Sequence, residues 1–417
     1  MSDLNSALAH YRLAADLPEP DLEPGSRWRH YRARLRAEIA GFDSAAAAIL
    51  AAQAHHGFDH RQPTTAERIK YQHDMLRTAY PALAGHVASF FDSPMAPPAT
   101  LVPSEAVYPG VKGRCYSNIS VFHSFYVLTC LSYATAVRDV LEIGGGYGGP
   151  ARHWLTNPIS PIASYTLVDF PEALFFAELY LKAHFPEARH VYVTEAGSDL
   201  AAGPAGDGRP TIRYLPLGRL DMVPEMPCDL AVNTGAIQEM PSPWVDLYRA
   251  QLDLTRARYF YSHNYALTPI NLVGERQNLF GPRVSADWSP QFVRFQHPVN
   301  ATQSIRPAAE ILFARRKVDR VALLEAQLAL CENAGSSFDS VVNLMYLADG
   351  ALSAEQFDRV IACTIRLARH LPTELVFLAR QFRQMASQGG VAIPADLARR
   401  LDAMEAHAET YGADPVY

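Results

Sequence analysis

The fold is decided by Val140-Leu141-Glu142-Ile143-Gly144-Gly145-Gly146-Tyr147-Gly148-Gly149-Pro150. An apolar, β-branched run (139–143) enters this stretch and a helix-like run (149–155) leaves it, so it reads as a strand–turn–helix corner. Glycines fill every position from 144 to 149 except Tyr147. Glycine lets a chain turn sharply and lets its backbone approach a ligand with no Cβ between them. A merely flexible turn needs one or two such residues and leaves this density unexplained.

Two cofactors compete for such a corner. The spacing Gly144-x-Gly146-x-x-Gly149 meets the dinucleotide fingerprint, and Asp169 lies at a suitable distance downstream to bind a ribose. The spacing Glu142-x-Gly144-x-Gly146-x-Gly148 equally meets the pattern of enzymes that use S-adenosylmethionine (SAM). Charge favours the second. A pyrophosphate wants unopposed N–H groups at a helix N-terminus, and a carboxylate two residues before the loop works against it. SAM carries an ammonium and a sulfonium instead, which a carboxylate attracts.

Outward from this corner, strand-like runs alternate with helical ones. The strands are expected at 139–143, 165–169, 211–216, 229–233 and 258–263, with helices at 149–155 and 172–183. That alternation predicts βαβ units and a doubly wound, Rossmann-like α/β sheet. The run 190–194 is also strand-like, so the identity of the third strand stays open, and the Gly/Pro-rich 201–209 reads as a loop. Runs 291–296 and 310–314 suit a closing antiparallel pair. Residues 1–135 read as a helical N-terminal cap, broken at Pro18–Pro24 and at Pro94-Met95-Ala96-Pro97-Pro98. Residues 136–317 form the expected cofactor-binding core, and 318–417 return to helical patterning that suits packing or a homodimer.

Composition bounds the partners. The 417 residues are too many for one ordinary domain, and 49% are apolar. A formal charge of −6 with no long Lys/Arg run argues against a nucleic-acid partner. Cysteines 115, 130, 228, 331 and 363 are scattered and form neither a disulfide framework nor a zinc pattern. His55-His56 and His60 lack ligand spacing as well, so no metal site is expected. Residues 1–17 lack the apolar core of a signal peptide, and no run approaches a membrane span. A cytoplasmic protein is the expectation.

The segments 142–155 (EIGGGYGGPARHWL), 165–181 (YTLVDFPEALFFAELYL) and 229–240 (DLAVNTGAIQEM) resemble the sugar O-methyltransferase family of class I SAM-dependent methyltransferases. The likeness runs roughly from Arg114 to Arg316, and its most specific part is Asn233 with Gln238-Glu239-Met240. It implies methyl transfer from SAM to a hydroxyl of a sugar-like small molecule, with S-adenosylhomocysteine as the product. It also implies that Glu142, Gly144, Gly146 and Gly148 line the methionine end of the cofactor. Asp169 would accept the ribose hydroxyls and Phe170 would contact the adenine, with 217–219 nearby. A competing role for Asp169 is to cap the helix that begins at Pro171-Glu172.

A sugar hydroxyl is a weak acid, so a base that titrates near neutrality helps its methylation. Open α/β sheets place such groups at the carboxyl ends of their strands. His263 ends the fifth strand-like run and has a suitable ring; Glu239 could orient it, act as base itself, or merely brace the helix after Pro241. Asn264, Tyr265, Arg276 and Arg283 are the candidate acceptor-binding groups. Tyr261, Trp288 and Phe292 could stack on a sugar or simply fill the core. Two rival functions stay open, an NAD-dependent oxidoreductase and a non-catalytic SAM-binding scaffold.

Overall fold

Continuous apolar runs bury strands on both faces, and this patterning produces the central sheet. In the computed structural model the described residues are 3–56, 64–194, 208–265, 267–268, 277–278, 287–296 and 308–316, with isolated positions beyond. Six strands pair in parallel: β1 (Asp139–Ile143), β2 (Ser164–Asp169), β3 (Arg189–Tyr192), β4 (Thr211–Pro216), β5 (Leu230–Thr234) and β6 (Tyr259–Tyr265). Their spatial order is β6-β5-β1-β2-β4-β3. Strands β2 and β4 are buried along their whole length, whereas β3 is half-buried throughout, as an edge strand should be. The open question of the third strand resolves in favour of both runs. Residues 211–216 pair with β2, and the 190–194 run supplies the edge beyond them.

The chain falls into two compact units. The first holds residues 1–263 and 270–275, the second 264–269 and 276–417. Within the first unit lie helices α1 (Asp3–Ala15), α2 (Ser26–Ile39), α3 (Ala45–His56), α4 (Ala66–Ala79), α5 (Asn118–Tyr133), α6 (Gly149–Thr156), α7 (Pro171–His184) and α8 (Ser242–Leu254). Right-handed crossovers running in opposite directions from β1 put α6 and α7 on one face of the sheet and α8 on the other.

Helix α7 is buried from Pro171 to Leu181, which explains why its sequence is apolar nearly all round. Helices α1, α2 and α3 cover its outer side. Tyr11 meets Phe175 edge-on at 6.1 Å and Phe42 meets Phe176 at 5.9 Å. The buried Glu178 takes contacts from His10 Nδ1 at 2.8 Å and Lys182 Nζ at 2.5 Å. Helix α5 opens with a capping box, in which Ser117 and Ser120 each donate a backbone N–H to the other's hydroxyl.

In the second unit the strands Trp288–Gln296 (β7) and Ala308–Arg315 (β8) form the expected antiparallel pair, with an irregularity between Pro290 and Phe292. Trp288 is fully buried, with the Arg315 guanidinium 4.6 Å above its ring, so it serves packing. The expected C-terminal helices fall almost wholly outside the described residues. Among the described residues, no helix is long and apolar enough to cross a membrane.

Candidate active site

The chain reverses its path across the sheet at β1, stepping to β2 on one side and later to β5 on the other. The carboxyl ends of β1, β2 and β5 therefore border a crevice, the position at which open α/β sheets bind ligands. A cavity of about 680 Å³ fills it, lined by the glycine loop, Glu142, Asp169, Phe170 and residues of the β5–α8 connection.

The loop needs its glycines at particular points. Gly144, Gly146 and Gly148 have φ of 76°, 54° and 88°, a region that side chains disfavour. A Cβ on Gly144 would overlap that of Ala236, and one on Gly146 would project into open space. The backbone at Gly146 thus faces the cavity with nothing between. Gly148 caps α6, whose N-terminus opens directly from the loop.

Glu142 sits in the middle of the sheet, registered against Leu167 on β2 and Val232 on β5, and is fully buried. Its Oε2 accepts the Tyr165 hydroxyl at 2.9 Å, while Oε1 is buried with no hydrogen-bond partner. Burial pushes this carboxyl up to about 8, because nothing else present repays its desolvation. Asp169 is 6% exposed and is gripped by main chain. Gly146 N–H donates to Oδ2 at 2.8 Å and Phe170 N–H to Oδ1 at 2.7 Å. Burial raises its pKa to about 6 against the pull of those two bonds. The competing helix-cap role fails, since Phe170 holds the cap position of α7 and no side chain caps it. Each Asp169 oxygen keeps a second acceptor site for a ligand hydroxyl.

Across the crevice, Asn233 ties two strand ends together. Its Nδ2 donates to Ile143 O at 2.7 Å and its Oδ1 accepts from Ile237 N–H at 3.2 Å. The chain then turns at Gly235 (φ 81°), bringing Thr234, Ala236, Glu239 and Met240 to the cavity wall. Glu239 does not cap α8, whose cap position is Pro241 with no side-chain bond.

His263 is placed differently from Glu239. It is 7% exposed and is not among the cavity-lining residues. Strand β6 lies one place beyond β5, and the α5 side chains Phe122 and Tyr126 contact the imidazole and line the cavity themselves. Their rings stand 5.7 Å and 5.0 Å from it, and Tyr126 Oη is 3.1 Å from His263 Nδ1. His123 also lines the cavity. Asn264 is buried; the Tyr265 and Phe292 side chains, Arg276 and Arg283 lie outside the described residues. Tyr261 is fully buried beside Tyr126 and serves the core. Residues 217–219 do not line the cavity; a Cβ on Gly218 would run into Leu17, so they meet the N-terminal segment instead.

The sequence places helices in the N-terminal region, one of them over 119–133, but gives α2 and α5 no part in the site. Trp28, His30, Tyr31 and Arg34 of α2 line the cavity, though an Arg-rich helix reads as a solvated one. The usable signal was the pair Trp28 and Tyr31, three apart on one helix face.

No protein-family model matches the chain, and no curated protein matches it. Solved structures give partial likenesses. One comes from work on conversion of a disulfide bond into a thioacetal group during echinomycin biosynthesis, at 15% identity over 49% of this chain and 86% of that one, with a TM-score of 0.30. Another is mitomycin 7-O-methyltransferase, at 12% identity over 47% of this chain and 56% of that one, TM-score 0.29. A third is the SAM-bound magnesium protoporphyrin IX methyltransferase of Synechocystis PCC 6803, at 10% identity over 46% and 76%, TM-score 0.28. Each is a remote likeness over about half the chain.

Proposed function

We propose that the crevice binds SAM and that the protein is an O-methyltransferase acting on a hydroxyl of a sugar-like small molecule. The observation that carries the cofactor is Glu142 Oε1, a fully buried carboxylate oxygen without a hydrogen-bond partner at the wall of a glycine-lined cavity. A cationic ligand relieves that cost; a pyrophosphate would aggravate it. The same point weighs against a nicotinamide dinucleotide. Glu142 and the backbone from Gly144 to Gly148 would hold the methionine part, and Asp169 would hold the ribose. Bound there, SAM would supply a methyl group made electrophilic by its sulfonium.

The protein's own share is to align the acceptor, exclude water and take up one proton. Glu239, at the cavity wall on the β5 side, receives the proton of the acceptor hydroxyl in this reading. His263 acts through Tyr126, fixing the phenol that lines the cavity, and is a positioning residue. The sugar acceptor rests on the resemblance of 142–155, 165–181 and 229–240.

Calorimetric titration with S-adenosylhomocysteine and, separately, with NAD⁺ tests the cofactor. Micromolar binding of the former alone, weakened in Asp169→Ala, is the expected result. Binding of NAD⁺ instead overturns the reading.

A further inference from the structure

Helix α2 bridges both sides of the crevice. At the β2 side, Trp28 meets the Phe170 ring edge-on at 5.3 Å and Tyr31 does so at 6.0 Å. At the β5 side, Trp28 stands 5.7 Å from Trp244 of α8, whose indole N–H donates to Glu23 O at 3.3 Å. Burial, then the nearby Asp169 and Glu239 carboxylates, push the Tyr31 phenol above its usual range. Tyr31 thus feels acids from both sides of the crevice.

The attachment of α2 is charged: a fully buried carboxylate meets one largely buried arginine, Arg32, and one exposed arginine, Arg36. Glu172, fully buried at the start of α7, accepts from Arg32 Nε at 3.1 Å and from Arg36 Nε at 2.5 Å. Arg32 also forks onto Glu19 at 2.7 Å and 2.6 Å, and its guanidinium lies 5.4 Å from the Phe170 ring centroid. A carboxylate removed from water this completely depends on both arginines, because losing a partner leaves a buried charge uncompensated. A surface helix resting on the domain needs no such anchor.

We infer that α2 forms part of the cofactor site, with Trp28 and Tyr31 supplying an aromatic wall for the purine nucleoside that Asp169 and Phe170 receive from the other side. This rests on the SAM reading above. Aromatic faces suit a flat, apolar base, and the tyrosine adds a polar tip. The Arg32–Glu172–Arg36 contacts hold α2 at this wall.

The test uses the whole chain, S-adenosylhomocysteine and free adenosine. Trp28→Ala and Tyr31→Ala should each weaken S-adenosylhomocysteine by about tenfold, the worth of one aromatic contact, and should weaken adenosine by the same factor. Hydrogen exchange on the unaltered protein gives a measurement independent of variant folding, in which the amides of 28–39 should gain protection when S-adenosylhomocysteine is added. Unchanged affinity in both alanine variants, or no gain in α2 protection while the ligand binds, overturns the assignment of α2. Failure of the unaltered protein to bind S-adenosylhomocysteine overturns the SAM reading first, and this inference with it.

Discussion

On the β1–β2 side of the crevice, main chain does the holding. Gly146 and Phe170 N–H groups grip Asp169, Gly144 N–H donates to Val168 O at 2.8 Å, and the turn depends on three positive φ angles. On the β5 side Glu239 and Met240 bring side chains to the cavity wall, and Phe122 and Tyr126 of α5 line it beside His263. A wall of backbone is fixed by the fold and suits a ligand that never changes. A wall of side chains is altered by single substitutions and suits a ligand that differs between relatives. On the proposed reading, the constant cofactor would lie against the first side and the acceptor against the other.

The strongest way to break that contrast is at Gly144. Gly144→Ala combines a positive φ with an overlap on Ala236, at about 3 kcal/mol or more. Loss of S-adenosylhomocysteine binding by more than about a hundredfold is expected by calorimetry. Adding Ala236→Gly should recover part of it. Full binding by the single variant would show that the loop is held less rigidly than its backbone geometry implies. Next is Asp169→Asn, which weakens the acceptor that the two N–H groups orient. An affinity loss of about tenfold to a hundredfold is expected, as for hydrogen bonds to a charged group, with a fall in melting temperature because the new NH2 faces one of the two N–H donors.

A third prediction separates the two sides by pH. Glu142 has a raised pKa, so its protonated form contributes stability that is whole below about pH 4.5 and is lost as pH rises through about 8. Asp169 behaves alike between 3.8 and about 6. The ligand-free protein should lose melting temperature as pH rises across this range, while S-adenosylhomocysteine binds more tightly by up to about tenfold per pH unit. Glu142→Gln should flatten the part of both curves between pH 6 and about 8. A slope unaltered by that substitution would assign the titration to another group. The smallest effect is expected on the other side, at Tyr126→Phe. Losing the Oη contact with His263 costs about 1 kcal/mol by denaturant unfolding and leaves S-adenosylhomocysteine affinity unchanged. A drop in that affinity would show that the side-chain wall also serves the cofactor.

The β1–β2 side was legible in the sequence because its determinants are local. Val140, Leu141 and Ile143 bury a strand, and Gly144, Gly146 and Gly148 follow at once with the only residue type the turn tolerates. Asp169 could be placed because it ends the next apolar run. The other wall depends on contacts far apart in sequence. Nothing near His263 says that Phe122 and Tyr126 stand between its ring and the cavity, since α5 precedes β6 by more than a hundred residues. In the sequence Glu172 is only the start of a helix-like run. Its role becomes visible only when Arg32 and Arg36 arrive from α2. The third strand was ambiguous for a similar reason, as 190–194 and 211–216 carry similar patterns and only pairing distinguishes an edge from a neighbour of β2.

Asn233 couples the two walls mechanically. By joining Ile143 O to Ile237 N–H it fixes the gap between the last residue before the glycine turn and the first turn of the acceptor wall. A displacement reaction tolerates little error in the spacing of its two partners, and on the proposed reading this carboxamide would help set that spacing. Under that same reading, libraries aimed at new acceptors would vary the cavity-lining Thr234 and Met240 while keeping the Gly235 turn, Glu239 and Asn233, the caliper between the two walls.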